Sequence, residues 1–236
     1  MKKSKFLISY FNKVEIALWA ISVLSILISF LIFDKNNYLN LIGSIIGVTS
    51  LIFYAKANPL AQVFMLIFSI IYAYISYTFR YWGEISIFLF MTLPSLIVSF
   101  IAWIKNPFNG KRSEVKVGDI NKKDVIVMII LTIVVTVAFY FILKFLNTNN
   151  LAFSTLSIAT SFMASYLTLK RSDYFALAFI FNDVILIILW GLASFKSTAY
   201  ICTEITFISF LFNDLYGFIN WAKIKKYQKL KTDKNN

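Results

Sequence analysis

Eight stretches of this chain are each long and apolar enough to cross a bilayer, and nothing else in it constrains the fold as strongly. A hydrocarbon core about 30 Å thick needs roughly 20 apolar helical residues, and backbone polar groups inside it must be satisfied within the helix itself. The stretches run over 15–33, 38–55, 59–78, 84–104, 125–146, 151–169, 174–195 and 198–222. Apolar residues make up 59% of the chain and mean hydropathy is +0.75, which leaves too little polar surface for a soluble globule. The expected class is an all-α integral membrane protein of about eight transmembrane helices.

The net charge of +12 does not point to nucleic acid, because the cations sit in short connections and tails rather than on an aromatic-interleaved face. Their placement reports orientation instead. Of 23 Lys and Arg, only Lys35, Arg80, Lys144 and Lys196 fall on one side of an eight-span topology; the rest fall on the other. Such an excess marks the cytoplasmic side, so both termini are placed in the cytoplasm of a multi-pass protein. The run after Lys13 is about 18 residues long and lacks a small-x-small cleavage site, so it is expected to remain as a helix rather than to be removed as a signal.

There is no histidine, and the single cysteine, Cys202, lies in an apolar run. His-based catalysis, structural zinc and intrachain disulfides are therefore excluded, and no cofactor or metal is expected. An intramembrane enzyme would need a nucleophile with its base or a paired catalytic dyad. Asp183 and Asp214 could meet in space, but no histidine and no protease motif accompany them.

A shift of 118 residues brings Trp103-Ile104-Lys105 onto Trp221-Ala222-Lys223, and a shift of 114 brings Gly43, Gly47 and Ser50 onto Ser157, Ser161 and Ala164. Small residues at such spacing let helix backbones approach closely. The expected organisation is an extra N-terminal helix (15–33), a first three-helix repeat (38–104), a cytoplasmic loop (105–124), a linker helix (125–146), a second three-helix repeat (151–222) and a basic cytoplasmic tail (223–236). Equivalent helices are four spans apart, so the repeats run parallel. Asn106-Pro107 and Asn109-Gly110 mark turns in the loop. The linker helix is expected to face lipid, with only Thr132, Thr136 and Lys144 breaking its apolar surface.

The tripeptide Phe-Asn-Asp occurs twice within spans, at 181–183 and 212–214. Ionisable residues at membrane depth are functional-site candidates, since they are costly unless they face a cavity or a partner. Asn182 lies twelve residues beyond Lys170 and Asn213 ten before Lys223, which places both roughly 15 to 18 Å from the cytoplasmic boundary. Thr206, Ser209, Asn213, Tyr216 and Asn220 form one polar stripe on the last helix, read here as the wall of a cavity. Trp190 shares a face with Asp183, a pairing suited to a cationic aromatic ligand. Trp103 and Trp221 precede lysines and are expected to anchor at the membrane interface. Glu204 falls on the opposite face from Asn213, and Pro94 allows a kink in the fourth span. In the 118 register Asn213 matches Ser95 and Asn182 matches Phe64, so the expected site is asymmetric and built mainly by the second half.

The chain resembles the PnuC-type nicotinamide riboside transporters of bacteria. The resemblance rests on Tyr81-Trp82-Gly83-Glu84, on Leu93-Pro94 through Trp103-Ile104-Lys105-Asn106-Pro107, on Asn182, and on Asn213-Asp214-Leu215-Tyr216-Gly217-Phe218-Ile219-Asn220-Trp221. It implies a core akin to the SWEET sugar transporters, a homotrimer in the cytoplasmic membrane, and uptake of nicotinamide riboside by facilitated diffusion with trapping by phosphorylation. Thiamine or deoxynucleosides are the alternative substrates, and a binding-only subunit is a further alternative. In this reading Asn182, Asp183, Trp190, Asn213, Asp214, Tyr216 and Asn220 bind substrate, with Gln62 and Tyr72 contributed by the first repeat. The partners are the riboside and the lipid bilayer, with no nucleic acid.

Overall fold

The computed structural model describes residues 10–78 and 82–233. Tyr81 and Arg80, residues 1–9 of the basic amino terminus and residues 234–236 of the tail lie outside the described residues. The helices are α1 (Lys13–Phe33), α2 (Tyr38–Ala55), α3 (Leu60–Thr78), α4 (Trp82–Ile87), α5 (Leu93–Ile104), α6 (Lys122–Phe145), α7 (Leu151–Leu169), α8 (Phe175–Ser194) and α9 (Tyr200–Asp233). A short hairpin of β1 (Pro107–Phe108) and β2 (Lys111–Val115) follows α5.

Side-chain caps set where the helices begin. Asn12 Oδ1 accepts from the Glu15 N–H and Glu15 Oε2 from the Asn12 N–H, both at 2.8 Å; Asn121 and Asp124 repeat the device at α6. Each reciprocal pair satisfies two amide donors that a bare helix start leaves open. Seven spans are long and apolar enough to cross a membrane, with α4 and α5 together making one of them. The eighth expected span, within α9, is not among them, because its polar stripe dilutes it. Packing is the inverse of a soluble bundle: α1 buries Glu15, Ser22 and Ser29 while exposing Ile21, Leu24, Ile28 and Ile32. Lipid gives apolar side chains no reason to turn inward, so small and polar residues occupy the helix contacts.

The span expected as one helix over 84–104 is broken by a π-helical turn, Phe88–Thr92, where the Leu93 N–H donates to the Phe88 carbonyl. Pro94 follows directly and has no N–H to offer the preceding turn, which explains the irregularity there. α6 packs on α7 and α4 and exposes Ile126, Ile130, Ile133 and Phe141. The basic tail is not a loose segment, because α9 runs on through it to Asp233.

The repeats meet through reciprocal contacts at the registers seen in the sequence. Ala57 and Arg171, 114 apart, both adopt left-handed backbone (φ 52° and 58°) just after α2 and α7. Their carbonyls accept from the Val115 and Gly118 N–H groups at 2.9 Å, so the expected solvated loop is stitched to both repeats. Buried Gln228 on α9 accepts from the Val117 N–H at 2.9 Å and adds a third attachment. Trp103 and Trp221 do not sit at an interface as expected: both are 0% exposed. Each ends inside the bundle because a main-chain carbonyl of the other repeat receives its indole N–H.

Candidate functional site

A cavity of about 190 Å³ lies between the two repeats, room for a small molecule rather than a single water. α2 and α3 supply Tyr54, Phe68, Ser69 and Tyr72; the π turn supplies Phe88, Met91 and Thr92; α7 supplies Ser161 and Ser165. The charged wall comes from the second repeat: Asn182 and Asp183 on α8, and Asp214 on α9, with Phe175, Phe179, Phe207 and Phe210 around them. Asp183 and Asp214 are 2% and 4% exposed, and their carboxyl groups come within hydrogen-bonding reach of each other.

Among the described residues no lysine or arginine lines this cavity, neither carboxylate has an ion-pair partner, and Asp183 Oδ2 has no donor. Buried carboxylates without counter-charges are costly, so the pair invites a cation. Asn182 is held in place from α7, where the hydroxyls of Thr160 and Ser161 lie 2.9 Å from its Oδ1.

The structure brings Asn182, Asp183, Asp214 and Tyr72 to the cavity, and not the other candidates. The polar stripe of α9 faces α1 and α2 instead. Asn213 donates to Ser22 Oγ at 3.0 Å, Tyr216 to Glu15 Oε1 at 2.9 Å, and Asn220 to the Ala55 carbonyl at 2.7 Å. Thr206 and Ser44 hydroxyls meet at 3.0 Å. A polar stripe must meet water, ligand or another polar helix. Here the third case holds, because Glu15, Ser22 and Ser29 recur every seven residues on α1. Gln62 lies behind the wall and receives the Tyr54 hydroxyl at 2.7 Å, while Trp190 packs edge-on to Tyr72 at 6.3 Å without lining the cavity.

Aromatic rings line the cavity on the side of the basic segments. Tyr54 and Phe175 form its floor, and Trp103 and Trp221 pack beneath them, with Phe175 4.8 Å from Trp221 and Tyr54 5.6 Å from Trp103. The stripe reading missed this aromatic lining. The signal available was the 114 register itself, which pairs Tyr54 with Thr168, the two carbonyls that receive the tryptophans.

A bundle of membrane-crossing helices that encloses an aromatic cavity with a buried pair of carboxyl groups has the architecture of a membrane solute transporter. The chain belongs to the nicotinamide mononucleotide transporter family, whose model matches residues 37–223. It is 26% identical over 215 residues to the nicotinamide riboside transporter PnuC of Neisseria mucosa, covering 89% of this chain and 81% of that one. With the nicotinamide riboside transporter PnuC of Haemophilus influenzae it shares 24% over 192 residues, covering 81% and 82%. The crystal structure of the Vitamin B3 transporter PnuC superposes with a TM-score of 0.79 at 23% identity, covering 92% of this chain and 94% of that chain, which establishes the common fold.

Proposed function

We propose that this chain carries nicotinamide riboside across the cytoplasmic membrane, with Asp183 and Asp214 holding the cationic ring. The observation that carries the reading is a pair of buried carboxylates in an aromatic cavity that, among the described residues, no lysine or arginine lines. A permanently charged pyridinium satisfies both features, through charge attraction and contact with ring faces. Asn182 meets the carboxamide or a ribose hydroxyl. The same observation separates two ligands that family and relatives suggest by name. A mononucleotide would bring a phosphate next to two carboxylates with no cation to receive it, so the riboside fits and the phosphorylated form does not.

Two parallel repeats with α6 as linker and α1 as an added helix are the division we assign to 38–104 and 151–222. Both termini are assigned to the cytoplasm, on the charge asymmetry of the connections. Transport is assigned as facilitated diffusion, with phosphorylation inside the cell retaining the riboside, and the assembly as a homotrimer.

Calorimetric titration of the purified protein tests the substrate. Nicotinamide riboside should bind, Asp214→Asn should weaken it by about tenfold or more, and the mononucleotide should bind at least about tenfold more weakly than the riboside. Equal affinity for riboside and mononucleotide would remove the basis of the assignment, and strong competition by thiamine would shift it to that cation. In liposomes, riboside accumulation driven by an imposed pH gradient would exclude facilitated diffusion.

A further inference from the structure

We propose that Glu204, with Trp190 and Tyr200, forms a separate entrance site that receives the organic cation before it reaches the Asp183–Asp214 cavity. The proposal rests on the substrate being a cationic nucleoside, as assigned above. Glu204 stands at the end of the bundle remote from the basic tail, where α8 stops at Ser194 and α9 starts at Tyr200. Its Oε2 accepts from the Ser194 hydroxyl at 3.1 Å. A Cβ added at Gly191 would come within 3.3 Å of its Oε1, so the bare glycine lets the carboxylate lie against α8.

Three features set this carboxylate apart from a helix-tying contact. First, among the described residues Glu204 forms no ion pair, and unlike Asp34, Glu114 and Asp233, which share that state, it lies beside a buried tryptophan and a tyrosine. A half-buried, unneutralised charge at a mouth with low-dielectric walls concentrates cations there. Second, Tyr200 lies one helical turn from Glu204 on α9, and Trp190 one turn from Ser194 on α8, which puts rings and carboxylate on one seam. The rings of Tyr200 and Trp190 are 5.6 Å apart, and Trp190 is 6.3 Å from Tyr72, which is already a wall of the cavity. A chain of ring contacts therefore runs from the residues beside Glu204 to a wall of the cavity, and an aromatic cation is drawn to such rings. Third, Trp190 is only 9% exposed and, among the described residues, its indole N–H has no acceptor. A buried donor left open is costly, and an oxygen of a passing ligand satisfies it.

Glu204→Gln keeps the oxygen facing Ser194 and removes only the charge, whereas Ser194→Ala removes the hydrogen bond and keeps the charge. Uptake of labelled nicotinamide riboside into liposomes should show kcat/KM lowered about fivefold by E204Q at low ionic strength, with the deficit shrinking at high salt. The equilibrium affinity of E204Q, set by the inner cavity, should stay within about twofold of wild type, and S194A should transport as wild type does. Unchanged kcat/KM in E204Q, or an equal loss in S194A, overturns the proposal. Wild-type uptake at low substrate gives a second readout that needs no variant: it should fall several-fold from low to high salt, and salt-insensitive uptake overturns the proposal as well. Absence of riboside binding to the wild type is a different failure, which removes the substrate assignment itself.

Discussion

Trp103 and Trp221 each donate an indole proton into the repeat to which they do not belong, Trp103 to the Thr168 carbonyl at 2.8 Å and Trp221 to the Tyr54 carbonyl at 2.6 Å. Their rings lie 5.5 Å apart beneath the floor of the cavity. Both bonds cross the same seam between the two halves of the bundle, beside the same pair of packed rings.

Replacing either tryptophan with phenylalanine keeps most of the ring volume and removes the indole donor, while the carbonyl it met keeps its turn hydrogen bond, from the Arg171 N–H at Thr168 or the Ala57 N–H at Tyr54. The expected loss is about 0.5 to 1.5 kcal/mol of stability for each variant. Thermal unfolding in detergent should show similar losses for the two. A large loss for one and none for the other would mean that the two contacts are equivalent in geometry only.

Gly47→Ala should weaken substrate binding without touching substrate. A Cβ there would stand 2.6 Å from Phe210 Cζ and 3.1 Å from Phe68 Cδ2, and both rings line the cavity. The rings must move into the ligand's space, at a cost of about 1 to 3 kcal/mol. Riboside affinity that is unchanged, measured by titration, would show that the rings have room to retreat elsewhere.

Asn213→Ala should lower stability and leave riboside affinity within about twofold, since Asn213 bonds Ser22 on α1 rather than the cavity. Asp214→Asn, one residue on, should do the reverse. If Asn213→Ala abolished binding in a protein that still melts like the wild type, the stripe would have to face the ligand after all.

Gly118→Ala should be among the most damaging changes in the segment between α5 and α6. An added Cβ would collide with the Lys170 carbonyl oxygen, a main-chain atom that cannot swing aside. The Gly118 N–H bond to Arg171 would be lost with it. A melting temperature several degrees lower is expected, while the neighbouring exposed Lys116→Ala should have little effect.

Much of this architecture is legible in the sequence because lipid imposes a length and a composition on every span. The two repeat registers also carry real geometry: Tyr54 with Thr168 and Trp103 with Trp221 are offset by 114 and 118, and these four residues make the reciprocal bonds. The acid pair is readable from cost alone, since Asp183 and Asp214 had no cheaper place to be. The direction of the α9 stripe was not readable from α9, because helical periodicity says which residues share a face and not what that face meets. The missing information was on α1, in Glu15, Ser22 and Ser29. Trp103 and Trp221 misled for a related reason: a tryptophan before a lysine suits an interface, and only a carbonyl from the other repeat draws it inside.

The docking of α1 also ties together two traits that the chain might otherwise vary separately. Glu15, Ser22 and Ser29 cover Tyr216, Asn213 and Cys202 in turn, so the first helix is the solvent that the last helix would lack in hydrocarbon. A transporter on this plan that lost its first helix would leave Asn213 and Tyr216 without these partners, whereas Thr206 and Asn220 would keep theirs on α2. The polarity of the middle of the last helix is thus tied to the presence of the first, by the intolerance of a lipid tail for an amide.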